Sequence, residues 1–197
     1  MRNGGEPAGP EGAVLAEVSR ARLYSCLVTR PTGRAVRLSI EDQLAEHRGA
    51  VVSVLDFRNV SVIDFSCADE VAAKLADAAL SGAAGRGDLF LLFTGLEDHH
   101  MDPVESALRR RGLVVAAERA DGSPLVLGEL EEEARRAWHG LVRRGQGRPE
   151  GLAEELGLAA DGVRELLDAL HRRRLALRDG GAYVSLRRAA AEARRDG

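Results

Sequence analysis

A short apolar segment followed by a helical pattern is the feature that most constrains the fold. Residues 50–55 read Ala-Val-Val-Ser-Val-Leu and are almost wholly apolar. Such a run, rich in β-branched side chains, is typical of a strand covered on both faces. Further on, apolar side chains recur at Val71, Leu75 and Ala79, the four-residue spacing of a helix face. The two patterns together predict an α/β unit built around this stretch.

Ser66 is predicted to begin this helix as its N-cap. A serine hydroxyl at that position accepts a hydrogen bond from a free amide of the first turn, and Asp69 stands three residues later, in the spacing of a capping box. A phosphate on Ser66 would meet the same free amides and the positive end of the helix dipole. Ser66 is therefore a candidate phosphorylation site. Capping alone is the alternative, and the negative charge of Asp69 favours it.

The rest of the first part alternates strands with helices. A turn at 121–123 indicates a hairpin, so the sheet is expected to be mixed rather than purely parallel. The helix that follows residue 101 is predicted to open at Asp102-Pro103. The remaining predicted strands are 23–28, 89–93, 113–117 and 124–127, and a further helix carries Val36, Ile40 and Leu44.

The composition changes at Gly128. Beyond it, an apolar stripe through 130–142 predicts one helix, 151–156 a second that ends at Gly157, and 161–174 a third. Residues 175–186 then read as a hairpin by their turn chemistry. Three helices followed by a hairpin predict a winged helix-turn-helix. The predicted organisation is a disordered lead-in at 1–12, an α/β domain at 13–128, the winged helix at 129–188 and a tail at 189–197.

The middle of the first part resembles a known family. Ile63-Asp64-Phe65-Ser66 is similar to the STAS domain of anti-sigma-factor antagonists, in which a regulatory serine follows a strand and an aspartate at a helix N-terminus. Asp56-Phe57 and Ala68-Asp69-Glu70 resemble still more closely a STAS-like family of uncharacterised bacterial regulators. The resemblance implies a regulatory protein as partner, such as an ATP-binding serine kinase of the anti-sigma type. The partner-binding residues that it implies are Asp64, Ser66, Asp69 and Glu70.

The second part resembles the winged-helix family of bacterial transcription regulators, over nearly all of 129–186. The resemblance implies binding to double-stranded DNA, with the third helix as the recognition helix. The arginines expected to contact DNA are Arg164, Arg172, Arg173 and Arg178. Asp161 and Glu165 in the leading turn oppose a phosphate backbone, so a winged helix that binds protein instead of DNA is the alternative.

Composition limits the remaining function classes. The formal net charge of −3 and the pI near 6.0 give no overall attraction to nucleic acid or to anionic membranes. Two cysteines without a CxxC pair indicate a reducing compartment, and we expect a cytoplasmic protein without a membrane span. Nothing in the sequence pairs a nucleophile with a base or forms a phosphate loop, so no catalytic residue and no cofactor is expected.

Two smaller features raise the question of chemistry. His99 and His100, flanked by acidic residues, have the side chains of a zinc site, but adjacent histidines rarely converge on one ion. They are expected to lie in a solvated loop, with no metal. Cys67 is expected near the positive end of the helix dipole, which could lower its pKa, although packing is the simpler role. The two resemblances thus imply a non-enzymatic bacterial regulator, or alternatively a protein-interaction scaffold whose winged helix does not bind DNA.

Overall fold

The computed structural model describes residues 16–82 and 88–193. The strands in chain order are β1 (Glu17–Arg22), β2 (Cys26–Leu27), β3 (Val51–Asp56), β4 (Val62–Ile63), β5 (Leu89–Leu96), β6 (Val114–Arg119), β7 (Pro124–Gly128), β8 (Gln146–Gly147), β9 (Ala176–Asp179) and β10 (Ala182–Ser185). The α-helices are α1 (Arg30–Leu44), α2 (Phe65–Ala68), α3 (Lys74–Ser81), α4 (Asp98–Arg109), α5 (Glu132–Arg144), α6 (Pro149–Leu156), α7 (Ala160–Arg172) and α8 (Leu186–Glu192). One π-helical turn, Asp69–Ala73, joins α2 to α3. The predicted lead-in at 1–12 lies outside the described residues.

The main sheet has five strands in the order β1-β3-β5-β6-β7. The first four are parallel, and β7 returns antiparallel to β6. The mixed α/β sheet predicted from the sequence is therefore confirmed. β3 lies between two strands and is buried on both faces, which explains why its sequence is almost continuously apolar. A small second sheet pairs β2 with β4 in parallel.

The first face of the main sheet is covered by α1, α3 and α4. Alternate strand residues such as Leu55, Leu91 and Phe93 point into this layer, where they pack with Val71 and Leu108. The four-residue spacing predicted for the helical segment, which follows β4, is confirmed, because Val71, Leu75 and Ala79 are all buried.

The second face is covered by the C-terminal part of the chain. Val52, Phe90 and Leu92 belong to one buried cluster with Trp138 of α5 and Leu167 of α7. The two parts of the chain therefore share a core. The division of the chain into separate domains at residue 128 stays a prediction.

The C-terminal part has the element order α5, β8, α6, α7, β9, β10. Its three strands form a sheet in the order β8-β10-β9, with β10 antiparallel to both neighbours. The predicted hairpin is present, and Gly157 caps α6 in the left-handed conformation, with φ 67°.

Gly128 ends β7 at a position that only glycine can fill. Its φ is 89°, and a Cβ there would lie 2.1 Å from the carbonyl oxygen of Leu113. The change of composition seen at this residue thus coincides with a tight passage between the main sheet and α5.

Arg174 fastens the end of α7 to the main sheet. Its guanidinium pairs with Asp88 at 2.8 Å, donates to the carbonyl of Ala79 at 3.2 Å and lies 5.3 Å from the ring centre of Phe90. The contact reaches around the end of the sheet, so it links elements on both faces.

Two predicted element boundaries in the first part are wrong. The strand expected at 23–28 is displaced, since the sheet strand is β1 and only Cys26 and Leu27 of the expected segment form a short strand. The helix expected to open at Asp102 begins at Asp98, and Pro103 lies inside it. The ring of His100 accepts a hydrogen bond from the amide of Glu97 at 3.0 Å, which satisfies a free donor and allows the earlier start.

The predicted tail contains a helix. α8 begins after Ser185, whose hydroxyl accepts from the amide of Arg188, and it buries Leu186, Ala189 and Ala190. This helix packs in the same cluster as the second face of the main sheet. The last residues of the tail, 194–197, lie outside the described residues.

Candidate functional site

Asp64, and not Ser66, is the N-cap of the helix that follows β4. Its backbone is extended, with ψ 167°, and its Oδ1 accepts from the amide of Cys67 at 2.7 Å and from the hydroxyl of Ser66 at 2.9 Å. The predicted cap at Ser66 is therefore wrong. Ser66 already lies in the first turn, because the strand ends at Ile63 and the next residue makes the entry into the helix.

The same carboxylate also holds the start of α1. Oδ2 of Asp64 accepts from the amide of Thr29 at 3.1 Å, and the thiol of Cys67 donates to the carbonyl of Thr29 at 2.9 Å. Burial alone would raise the pKa of Asp64, but hydrogen bonds from the amides of Cys67 and Thr29 and from Ser66 lower it below its ordinary value. Asp64 is thus ionised and fully engaged at neutral pH.

Thr29 adopts a backbone conformation that a β-branched residue rarely takes. Its φ is 78° and its ψ 138°. Such a conformation costs about 1–3 kcal/mol and persists only where neighbouring contacts impose it. Here the bonds to Asp64 and Cys67 impose it, so strain is concentrated at the junction of the two helix starts.

Ser66 lies at this junction and is partly accessible. Its hydroxyl donates to Asp64, so a phosphate there would lose that bond and would place negative charge beside a carboxylate. The amides of Cys67 and Ala68 already donate to Asp64, so a phosphate would compete with that residue for the start of the helix. The modification would therefore act directly on the contacts of Asp64.

Asp69 and Glu70 lie in the π-helical turn and are buried, at 7% and 1% exposure. Asp69 pairs with Arg30 and Arg111, both at 2.8 Å. Glu70 accepts from Arg30 at 3.1 Å and from Arg37 at 3.2 Å, and it also pairs with Lys74. We call these six residues the ion cluster. It ties α1, the π-helical turn and the end of α4 together.

The carboxyls of the ion cluster are held ionised by their partners. Burial would raise the pKa of both, but hydrogen bonds from Arg30 and Arg111 lower that of Asp69, and those from Lys74, Arg37 and Arg30 lower that of Glu70. The role of Asp69 and Glu70 in partner binding stays a prediction. Their side chains face this cluster, and Arg30, half exposed, is its most accessible member.

Gly33 permits the close approach that forms the cluster. A Cβ at Gly33 would lie 2.8 Å from the Cα of Cys67 and 3.0 Å from the Cβ of Glu70. The backbones of α1 and of the helix after β4 therefore touch at this point. A larger side chain would push apart the elements that carry Arg30 and Ser66.

His100 and Cys67 are buried and have structural roles, while His99 is exposed. His100 is fully buried and donates through Nε2 to the carbonyl of Val60 at 2.7 Å, while burial lowers its pKa. The expected solvated loop is therefore wrong. Burial, and then the negative charge of Asp64, raise the pKa of Cys67 to about 11, so the idea of a lowered pKa is also wrong. In the described ranges, histidine, cysteine and acidic side chains form no group that could hold a metal ion.

The predicted DNA-contacting arginines are distributed unevenly over the C-terminal part. Arg164 pairs with Glu150 at 2.7 Å, and Arg178 lies 3.5 Å from Asp168. Arg173 donates to the backbone carbonyl of Glu129 at 3.0 Å. Arg172 is exposed near the end of α7. Two of the four are thus paired with acids at the surface, and one supports the start of α5.

Sequence reasoning missed the residues that organise the site around Ser66. Thr29, Arg30 and Arg37 stand far from it in sequence, and only the fold brings them together. The signal that could have identified a cap was present in Asp64, because aspartate and serine are equally good N-caps.

No protein-family model matches the sequence, and no curated protein matches it either. Across residues 16–82 and 88–193, no helix has the length and apolar character needed to cross a membrane.

Proposed function

We propose that the protein is a non-enzymatic bacterial regulator. In this proposal a STAS-like domain binds a regulatory protein at the surface around Ser66, and a winged helix binds double-stranded DNA. The observation that carries the proposal is the position of Ser66, partly accessible in the first turn of a helix, with its hydroxyl on the capping carboxylate of Asp64. A phosphate placed there alters charge and hydrogen bonding at a strained junction, which is what a switch requires.

The mechanism of the switch follows from the contacts of Asp64. Phosphorylation replaces a hydrogen-bond donor by a dianion, so Asp64 loses one partner and is repelled by the phosphate. Asp64 also holds Thr29, and weakening that bond would release the strained start of α1. Arg30, half exposed and bonded to Asp69 and Glu70, is a cation within the same region that could pair with the phosphate. The partner would then distinguish two arrangements of the α1 start.

The order of elements in the C-terminal part supports a winged helix. Such a module needs three helices with a short strand after the first, followed by a hairpin whose second strand pairs with that short strand. The C-terminal part has this order and this pairing. The second candidate function, a winged helix that binds protein, is favoured by the pairing of Arg164 with Glu150. An arginine already neutralised by an acid contributes less to a phosphate contact.

The cytoplasmic location is part of the proposal. It is consistent with Cys26 and Cys67, which are both free thiols, one exposed and one buried.

The proposed switch is tested by phosphate transfer. Each anti-sigma-type serine kinase from the same bacterium is mixed with the full chain and ATP, and the modified residue is located by mass spectrometry. We expect phosphate on Ser66 and none in the Ser66→Ala variant. The matched control is Ser61→Ala, an exposed serine nearby that bonds to Ser25, and it should be modified like the wild type. Absence of phosphate on Ser66 with every such kinase would rule out the switch.

A further inference from the structure

A groove of about 250 Å³ runs between β1 and α1. Residues 20–24 form one wall. The other wall is a stripe of α1 whose members follow helical spacing, namely Thr32, Ala35, Val36, Ser39, Ile40 and Gln43. Neither Ser66 nor any residue of the β9–β10 hairpin lines the groove.

β1 is an edge strand of the main sheet, with β3 as its neighbour. The amides of Glu17 and Leu23 donate to β3 or its flanking residues, so the odd-numbered residues face that strand. Because backbone groups alternate in direction along a strand, those of Val18, Arg20 and Arg22 face the opposite edge. In the part of the chain that the structure describes, no strand pairs with this edge.

We propose that this groove binds an extended segment of a partner protein, in which apolar and acidic residues alternate, as an added strand beside β1. Strand addition at a sheet edge derives affinity from main-chain hydrogen bonds and specificity from alternate side chains. The two faces of β1 determine which side chains the partner segment needs.

On one face, the added strand would meet an apolar surface. Ala21 and Leu23 of the β1 wall are buried on the α1 side, where Val36 and Ile40 are buried as well and Ala35 is exposed. Side chains that point into this space lose contact with water, so small or medium apolar residues fit there.

On the other face, the added strand would lie beside positive charge. Arg20 and Arg22 project from the opposite side of β1, and both are exposed. Arg20 also donates to the carbonyl of Ala190 at 2.6 Å, which fixes its position. Acidic side chains on this face of the partner segment complement the exposed guanidinium of Arg22.

Tyr24 adds an anchoring group at the end of the groove. It is 67% exposed, more than the other large hydrophobic residues at the described surface. Exposed tyrosines are enriched at protein interfaces because they provide a large apolar area and a polar tip. Because Tyr24 lines the groove two residues beyond the last residue of β1, the added strand would extend past the end of β1.

The test uses the full chain and a short capped peptide in which valine and glutamate alternate. Binding is measured by calorimetry, and hydrogen exchange is followed residue by residue. We expect binding together with slower exchange at the amides of Val18, Arg20 and Arg22. The amides of Ser19 and Ala21, which face β3, should be unchanged. A peptide with lysine in place of glutamate should bind more weakly.

Two variants at exposed positions of α1 form a matched pair. Ser39→Trp fills the groove and should weaken binding by about tenfold or more, since the added strand would clash with the indole. Leu38→Trp introduces the same side chain beside the groove and should bind like the wild type. Arg22→Glu should reverse the preference between the glutamate and lysine peptides.

Several outcomes would overturn the proposal. They are failure of the full chain to bind the peptide, binding that Ser39→Trp leaves unchanged, and binding without protection of the three outward amides. Self-association of the chain that Ser39→Trp abolishes would assign the groove to a second copy of the protein, and would likewise overturn it.

Discussion

The amide of Thr29 donates to Oδ2 of Asp64 at 3.1 Å, and this bond joins the start of α1 to the start of α2. Asp64 thereby serves two helices with one carboxylate. Ser66, the candidate for phosphorylation, is bonded to the other oxygen of the same group.

Replacement of Asp64 should therefore be more costly than replacement of Ser66. We expect Asp64→Ala to lower the free energy of unfolding by about 2 kcal/mol, because the cap and the bond to Thr29 are both lost. Ser66→Ala removes a single donor and should cost less than about 1 kcal/mol. Urea unfolding measures both. Asp64→Asn is the control and should recover only part of the loss, because its single amide oxygen can still cap the helix at Cys67 while its NH2 group cannot accept from Thr29. Equal costs for Asp64→Ala and Ser66→Ala would contradict the assignment of the cap.

Stability should fall as the pH is lowered, in two steps. The pKa of His100 and that of His139 are lowered by burial, so the unfolded chain takes up protons first and stability begins to fall near pH 6.5. The pKa values of Asp64, Asp69 and Glu70 are lowered by their partners. Their contribution is present above the ordinary carboxyl pKa and is lost as the pH falls through the folded value.

Thermal unfolding between neutral pH and about pH 3 measures this dependence. Glu70→Gln keeps the shape of the side chain and cannot titrate, so its melting temperature should fall less steeply below about pH 4.5. A melting temperature that does not change over the acid range would contradict the ionised state of the cluster.

The shared core predicts a single unfolding transition. Trp138, the one tryptophan of the chain, reports on the C-terminal part by fluorescence, while circular dichroism follows the whole backbone. The two signals should change together in urea. Phe90→Ala, on the face shared with Trp138, should lower the free energy of unfolding obtained from both signals by about 3–5 kcal/mol. It should also alter the tryptophan emission of the folded state.

The matched variant for this experiment is Phe93→Ala. Phe93 is equally buried but faces α1, α3 and α4, so its loss should destabilise the protein without changing the tryptophan emission of the folded state. Fluorescence that changes at a lower urea concentration than circular dichroism would show two independent units.

DNA binding by the full chain should depend on salt. We expect a random-sequence duplex to bind at low salt, and the triple replacement of Arg164, Arg172 and Arg178 by Ala to reduce the slope of log affinity against log salt by about two to three. Arg173 is left in place because it supports the start of α5. Arg164→Ala alone should remove the preference for particular base sequences, since Arg164 lies in the leading part of α7.

The control removes the same charge elsewhere, by triple replacement of the exposed arginines Arg58, Arg109 and Arg119 on the α/β part. It should leave the salt slope unchanged. No binding of the wild type even at low salt would favour the alternative proposal, in which the C-terminal part binds protein.

The elements that could be predicted from sequence are those with a strong internal pattern. β3 and β5 are continuously apolar because they are buried on both faces, and α5 and α7 show regular apolar stripes. β1 was missed because its sequence alternates charged and small residues, and it is held by pairing with β3 rather than by its own hydrophobicity.

The shared core and the ion cluster could not be predicted. Periodicity shows that a face is buried but not which element covers it, so Trp138 gave no indication that it packs against the main sheet. Arg30 and Arg111 are separated from Asp69 by about forty residues in each direction, and an arginine-rich sequence offers many equivalent partners. The cap was misassigned because the choice between Asp64 and Ser66 depends on where β4 ends.

The π-helical turn gives this part of the molecule a particular response to the loss of a residue. A deletion inside a regular α-helix rotates what precedes it by about 100°, but a π-helical turn holds one residue more than an α-helical turn. Loss of one residue between Asp69 and Ala73 would therefore convert the segment into a regular helix while α2 and α3 keep their places. The bond between Asp64 and Thr29 would be kept. The side chains within the turn, Asp69 and Glu70 among them, would change direction, so the ion cluster depends on the extra residue and the helix start does not.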